Sequence, residues 1–350
     1  MNPAELQKQF IHEKETVKVA LLMLNELPET LTLFALNDDK QLVGTLTDGD
    51  VRRGLLRGLS LDSPVSEFMF RQYRFIRKNE FDMNDIENFR KRLIKLVPLL
   101  DDQKRVIKII NLNKQRSVLP LDVVIMAGGR GERLRPLTDT IPKPLLKIGG
   151  KPILEHNIDR LIDFGLDDFH IAVKYLGEQI ETYFGDGSSK FINIDYIRET
   201  APMGTIGAIS LIEGFSSEHV LIINSDILTN IDYEDFYKNF IEEDAVMAVA
   251  SIPYKVNMPF AVLETSGSRI LSFREKPVYT HYTNAGIYIV KRELLRMIPA
   301  GQHYHATELM DAVLAQGQKL IHYPILGYWM DIGRIEDFEK AQQEIKHIKF

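Results

Sequence analysis

Apolar residues follow two rhythms along this chain, and the rhythm changes near residue 119. In residues 17–27 those at 17, 20, 21, 24 and 27 have the spacing of one helix face. Two apolar runs follow, 31–36 and 42–46, parted by the turn-formers Asn37, Asp38 and Asp39, which predicts two short strands. A second helix is expected to open at Thr47 and Asp48, both suited to an N-cap, and to run through 51–57. The order then returns: a helix near 83–93, a strand 96–100, an Asp101-Asp102 turn and a strand 105–110. The phrases TLFALNDDKQLVG and LVPLLDDQKRVIK share apolar run, Asp pair, apolar run, which suggests an internal duplication. From Leu119 onward, apolar strands alternate with helical segments. Strands are expected at 122–126, 169–173, 191–196 and 220–224, and helices at 152–164, 176–183, 205–214 and 335–347. Such alternation predicts an α/β domain with a mostly parallel sheet, helices on both faces, and ligands at the carboxyl ends of the strands.

One strand end carries unusual chemistry. The run ending at Met126 and Ala127 breaks into Gly128, Gly129 and Gly131, interleaved with Arg130, Arg133 and Arg135. Glycines let the backbone approach a phosphate with its N–H groups inward, and arginines grip phosphate oxygens through forked hydrogen bonds. Residues 128–151 hold six Lys/Arg against two Asp/Glu, a local +4 within a chain of net charge −6. That contrast points to a polyphosphate ligand. Two commoner glycine loops are excluded by spacing: no GxxxxGK followed by Ser or Thr occurs, and Leu134 stands where a dinucleotide fingerprint needs its third glycine.

Composition narrows the setting. A length of 350 residues suggests two domains, and 45% apolar with 26% charged residues is globular. Mild acidity argues against nucleic acid as the partner. No apolar run reaches membrane-spanning length and MNPAELQKQFIHEKE lacks a signal-peptide core, so a cytoplasmic protein is expected. Without cysteine, disulfides and thiolate metal sites are impossible.

The string GGRGERLRPLT followed by PKPLL resembles the signature of the sugar-1-phosphate nucleotidylyltransferases, which join an NTP to a sugar 1-phosphate and release diphosphate. Four further motifs follow in the family's order: ETAPMGTIGAI, NSD, FREKP with NAGIY, and WMDIG. The resemblance covers residues 118–350 and implies a Rossmann-like domain with a mixed, mostly parallel sheet. It implies nucleotide binding by Ala127, Gly128, Gly129, Gly131, Glu199 and Gly204, and catalysis by Arg133 on the phosphates and Lys143 in the transition state. Asp226 and Asp331 would hold Mg²⁺, while Glu275, Lys276, Asn284 and Gly286 would take the sugar phosphate. The chain departs from the pattern at Ser225 and Ala261, where glycine is usual. His303 and His305 complete no ligand set and read as structural or incidental, and Trp329 reads as core packing beside Asp331.

The chemistry agrees with that residue inventory. A sugar-phosphate oxygen is already ionised near neutral pH, so attack on an α-phosphorus needs cations and metal more than a general base. Glu199 lies where the family reads the base, five residues before Gly204. An ionised carboxylate only accepts, and guanine offers it two adjacent donors, N1–H and the exocyclic amine. GTP is therefore the favoured nucleotide, with dTTP or UTP as the alternative.

Residues 1–117, with GTLTDGDVRRGLLRGLSLDSPVSEFM, resemble a cystathionine-β-synthase (CBS) motif, two of which pair into a module that often binds adenine nucleotides. The family's ribose-contacting pair maps onto Thr47 and Asp50. A plain helix cap is the competing reading of that pair. The second copy lacks Thr-x-x-Asp. The combination of a CBS pair with this catalytic domain resembles guanylyltransferases of bacterial surface-sugar synthesis, acting on glucosamine 1-phosphate or on mannose or heptose 1-phosphate. A homo-oligomer is compatible with a CBS pair. A non-catalytic nucleotide-sugar sensor is the alternative, against which the retained Arg133, Lys143, Asp226, Lys276 and Asp331 argue.

Overall fold

The computed structural model describes residues 7–27, 30–77 and 83–348. They form two compact units, Met1–Leu119 with Asp163–Gly165, and Pro120–Ile162 with Leu166–Phe350.

The first unit contains two three-stranded sheets. One is built from β1 (Phe10–His12), β2 (Thr32–Leu36) and β3 (Leu42–Thr47), with helices α1 (Val17–Asn25) and α2 (Asp48–Leu56). The other is built from β4 (Ile76–Arg77), β5 (Leu96–Leu100) and β6 (Val106–Asn111), with helix α3 (Met83–Lys91). In each, a parallel pair precedes an antiparallel one, so the repeated Asp-pair phrase marks a repeated topology. Thr47 caps α2: its hydroxyl accepts from the Asp50 N–H at 3.3 Å, and the Asp50 carboxylate accepts from the Thr47 N–H at 2.9 Å. The other Asp50 oxygen accepts from Arg53 at 2.6 Å.

The second unit is organised on a seven-stranded sheet. Its strands are β7 (Leu121–Ala127), β10 (Asp168–Val173), β11 (Asn193–Arg198), β12 (His219–Asn224), β14 (Met247–Asn257), β17 (Val278–Lys291) and β18 (Leu320–Pro324), in the order β11-β10-β7-β12-β17-β14-β18. Only β17 runs antiparallel to its neighbours. Its helices are α4 (Ile153–Asp163), α5 (Gly177–Phe184), α6 (Tyr233–Glu242), α7 (Ala306–Ala315) and α8 (Ile335–Glu344). In β7 the side chains of Val123, Val124 and Ile125 are essentially inaccessible, which is why the strand from Val123 onward reads as an unbroken apolar run rather than an alternation. Each such aliphatic side chain contributes roughly 1.5–3 kcal/mol on burial. Short antiparallel pairs flank the sheet: β8 (Lys147–Ile148) with β9 (Lys151–Pro152), and β13 (Ile227–Thr229) with β19 (Trp329–Asp331).

The helix expected over 205–214 does not form; that stretch holds only a 3₁₀ turn, Gly207–Leu211. Gly204 is left-handed (φ 75°), and the Ile206 N–H bonds the Tyr304 carbonyl rather than starting a helical ladder. A Cβ at Gly207 would lie 2.4 Å from the Gln302 carbonyl, so the turn is pressed flat against the 302–304 segment. An arm also extends from the sheet. Beyond Ser251, β14 and β17 continue as a ribbon that leads to the hairpin β15 (Val262–Ser266)–β16 (Arg269–Arg274), with Phe260, Leu263, Leu271 and Phe273 exposed. Among the described residues no helix is long and apolar enough to cross a membrane.

Candidate active site

Four parallel strands deliver their carboxyl ends to one place. Ala127, Val173 and Arg198 are in register across β7, β10 and β11, so the residues that follow them, Gly128, Lys174 and Glu199, form one row along the sheet edge. β12 adds Asn224, followed by Ser225 and Asp226. A cavity of about 440 Å³ opens there, lined by Gly128, Gly129, Arg130, Lys143, Lys174, Glu199, Gly204, Asn224, Asp226 and His303 among others.

The basic loop wraps this cavity tightly. Gly131 is left-handed (φ 63°), and a Cβ there would meet Thr138 and the Lys143 Cβ at 3.0 and 3.1 Å. Its carbonyl accepts from the Thr138 hydroxyl at 2.9 Å. These contacts lock the glycine loop to the Lys143–Leu145 3₁₀ turn, which Pro142 and Pro144 stiffen. Lys143 is only 8% exposed. Its ammonium donates to Asp226 Oδ2 at 2.5 Å and lies 3.8 Å from Asp331 Oδ1. The two acids reach one another through the β13–β19 ribbon, in which Ile227 pairs with Asp331 and the Ile332 N–H donates to the Asp226 carbonyl. Arg133 lies beside them, since a Cβ on Gly333 would sit 3.4 Å from its guanidinium. Burial and the neighbouring Asp226 charge push the Asp331 carboxyl above its ordinary pKa, while Lys143 and Arg133 temper that rise.

Glu199 lines the same cavity. It is half-buried, and a Cβ on Gly128 would stand 2.5 Å from its Oε1, so glycine at 128 is what gives the carboxylate its place. Its Oε2 accepts from the Met203 N–H at 3.4 Å. Burial raises its pKa, opposed by that N–H and by the Lys174 charge. Gly204 is needed because a Cβ would strike the Tyr304 carbonyl at 2.5 Å. The Tyr304 N–H bonds Met203 in return, at 3.1 Å, and this brings His303 to the cavity rim.

Most of the residues singled out in the sequence are gathered here: Ala127, Gly128, Gly129, Gly131, Arg133, Lys143, Glu199, Gly204, Asp226 and Asp331. Gly286 packs against the cavity-lining Asn224, where an added Cβ would stand 2.6 Å from the Asn224 side chain, and its N–H donates to Asn284. Asn284 also donates to the Tyr288 hydroxyl at 2.9 Å. Glu275 and Lys276 stand apart on the arm, exposed and without a hydrogen bond or ion pair to the Lys143 cluster. His303 lines the cavity, which its sequence neighbourhood does not signal, and its ring meets His305 edge-on at 4.5 Å. Lys174 was also missed, because a lone lysine after a strand carries no motif. Trp329 is half-buried and donates to the Ala285 carbonyl at 3.0 Å. Among the described residues no group of three or more His or acidic side chains forms a metal cluster. In the first unit, Thr47 borders a cavity of about 480 Å³ with Thr30, Thr32, Tyr73 and Lys95, while Asp50 is engaged by Thr47 and Arg53.

This sheet, with a glycine-arginine loop, a lysine between two aspartates and a carboxylate-lined recess at its strand ends, defines a nucleotide-handling α/β domain. The profile of the family described as Nucleotidyl transferase matches residues 122–348, and the chain belongs to that family. Mannose-1-phosphate guanylyltransferase of Mycobacterium tuberculosis is 32% identical over 236 residues, 64% of each chain. D-glycero-α-D-manno-heptose 1-phosphate guanylyltransferase of Aneurinibacillus thermoaerophilus is 30% identical over 230 residues, covering 65% of this chain and 99% of that protein. A crystal structure of HddC from Yersinia pseudotuberculosis superposes with a TM-score of 0.51 at 26% identity, over 64% of this chain and 99% of that one. The chain thus spans less than two thirds of the Mycobacterium relative's length, and the family match begins at Asp122.

Proposed function

We propose that this protein is a sugar-1-phosphate nucleotidylyltransferase that uses GTP. The observation that carries the reading is the buried Lys143 ammonium between Asp226 and Asp331, in a cavity that Glu199 also lines. An oxygen of the sugar phosphate attacks the α-phosphorus of the nucleotide, and the bond to the β-phosphate oxygen breaks, releasing diphosphate. Lys143 and Arg133 hold the phosphates and neutralise charge as it builds on the leaving group. The N–H groups of Gly128, Gly129 and Gly131 and the short side chain of Ala127 leave room for the triphosphate. The acid pair fits Mg²⁺, because two neighbouring carboxylates whose mutual repulsion a cation relieves are an oxygen donor set that phosphate oxygens and water complete. When bound, the ion supplies Lewis-acid polarisation of the phosphates.

Glu199 supports GTP: its carboxylate matches the two adjacent donors of guanine, and two relatives are named guanylyltransferases. Mannose or heptose 1-phosphate is the favoured acceptor on the same names. Glucosamine 1-phosphate follows. Asn284 and Gly286, and on the arm Glu275 and Lys276, are the proposed sugar-phosphate contacts. For the first unit we propose a CBS-type pair whose Thr47-lined cavity takes an adenine nucleotide, the Thr47 hydroxyl serving the ribose and Asp50 holding Thr47 in place. Incubation with Mg²⁺, each NTP and a panel of sugar 1-phosphates, with diphosphate as the readout, tests the reading. Diphosphate release fastest with GTP is expected; release with no sugar 1-phosphate at all would remove it.

A further inference from the structure

A base that enters the Glu199 recess meets a second polar group whose chemistry is opposite. Lys174 follows β10 as Glu199 follows β11, and the Glu199 N–H still bonds the Val173 carbonyl at 3.0 Å, so the two residues leave adjacent strands side by side. Neighbouring strands are about 4.8 Å apart, which brings an acceptor and a donor within the span of one heterocycle edge. Both line the same cavity. The Glu199 carboxylate is occupied on one side only, by the Met203 N–H. The Lys174 ammonium makes no hydrogen bond or ion pair among the described residues, not even with Glu199, although it is close enough to bias that carboxylate electrostatically. A cation beside an acid with which it does not pair leaves both free for a ligand.

We propose that Lys174 is a specificity-determining residue: its ammonium donates to the exocyclic carbonyl of the incoming base while Glu199 accepts from the ring N–H next to it. Guanine presents O6, N1–H and the 2-amine in that order, so Lys174 takes the first and Glu199 the other two. Uracil and thymine satisfy Lys174 through O4 and offer N3–H to Glu199, but turn O2 instead of an amine toward its other oxygen. Cytosine and adenine turn an amine toward Lys174 and a ring acceptor toward Glu199, so both contacts fail. Lys174 therefore distinguishes oxo from amino bases, and Glu199 then distinguishes guanine from the other oxo bases. The proposal rests on the reading of this cavity as a nucleotide site with the base at Glu199.

Binding of GTP, ITP, UTP and CTP to the full-length wild-type protein and to Lys174→Met and Lys174→Arg, measured by calorimetry, tests it. Lys174→Met should weaken GTP, ITP and UTP together, by about 10- to 100-fold, the loss expected for a charge-assisted hydrogen bond. CTP should change by less than about threefold, and Lys174→Arg, which keeps a donor, should recover most of the loss. Equal losses for all four nucleotides, or none, would overturn the role of Lys174. A wild-type preference for UTP over GTP would instead overturn the guanine assignment while leaving the oxo-selective effect of Lys174→Met intact.

Discussion

Replacing Lys143 with alanine separates stability from catalysis in this site. Lys143 is 8% exposed and its ammonium lies between Asp226 at 2.5 Å and Asp331 at 3.8 Å. Removing it leaves two carboxylates facing each other. Breaking a fully buried pair costs about 3–5 kcal/mol. Here Asp226 and Asp331 retain 25% and 46% of their side-chain exposure, so water screens the remaining repulsion and about 1–2 kcal/mol is the expected loss. For a domain of this size that corresponds to a Tm lower by roughly 2–8 °C, and Mg²⁺ should recover part of it by replacing the missing positive charge. The rate should fall much further. A preorganised charge that acts on the transition state is worth about 10²–10³ in kcat, or roughly 2.7–4 kcal/mol. Diphosphate release at saturating GTP and mannose 1-phosphate measures kcat, and thermal melts with and without Mg²⁺ measure the stability cost. A folded Lys143→Ala protein with kcat within threefold of wild type would refute the catalytic placement of Lys143.

Because burial and the Asp226 charge raise the Asp331 pKa, protons compete with metal there up to a higher pH than at an ordinary carboxylate; Mn²⁺ affinity followed by electron paramagnetic resonance should weaken as pH falls, and Asp331→Asn should blunt that response while cutting kcat at least about 10²-fold. Glu199→Gln should weaken GTP use by about tenfold and relatively favour UTP or dTTP in competition assays, because an amide supplies a donor for the pyrimidine carbonyl; unchanged preference would remove the base-reading role. Gly204→Ala should lose GTP affinity and lower Tm together, since the added Cβ meets the Tyr304 carbonyl at 2.5 Å in a left-handed residue; a neutral effect on both would contradict that close packing. AMP should bind the full-length protein with one site, measured by calorimetry, and Thr47→Trp should abolish that binding by filling the first unit's cavity; heat unchanged by the substitution would leave Thr47 as a helix cap alone.

Much of this arrangement was legible in the sequence where one physical constraint acts on consecutive residues. The β7 run Val123–Ala127 is apolar throughout because both faces of a central parallel strand are covered, and Gly128 and Gly131 after it stand out because backbone there passes close to other groups. The Asp-pair phrases gave away the repeated topology of the first unit for the same reason: strand, turn and strand are local. Long-range contacts were not legible. Residues 205–214 have helical spacing, yet the Tyr304 and Gln302 carbonyls, about a hundred residues away, claim the backbone. The arm escaped notice because its apolar residues face solvent on a ribbon and do not alternate as a buried strand does. Lys174 and His303 are single residues after a strand and within a loop, and only the register of β10 with β11, and the Met203–Tyr304 bonding, bring them to the cavity.

The central claim is transfer of a nucleotidyl group to a sugar phosphate at the Lys143–Asp226–Asp331 cluster. Phosphorus-31 NMR of the wild-type protein with GTP, Mg²⁺ and mannose 1-phosphate, heptose 1-phosphate or glucosamine 1-phosphate tests it most directly. The account predicts loss of the sugar-phosphate signal with stoichiometric appearance of a diphosphate diester and free diphosphate for at least one acceptor, and none of this in Asp331→Asn. Intact GTP and sugar phosphates with all three acceptors, in a folded protein that binds GTP, would contradict it.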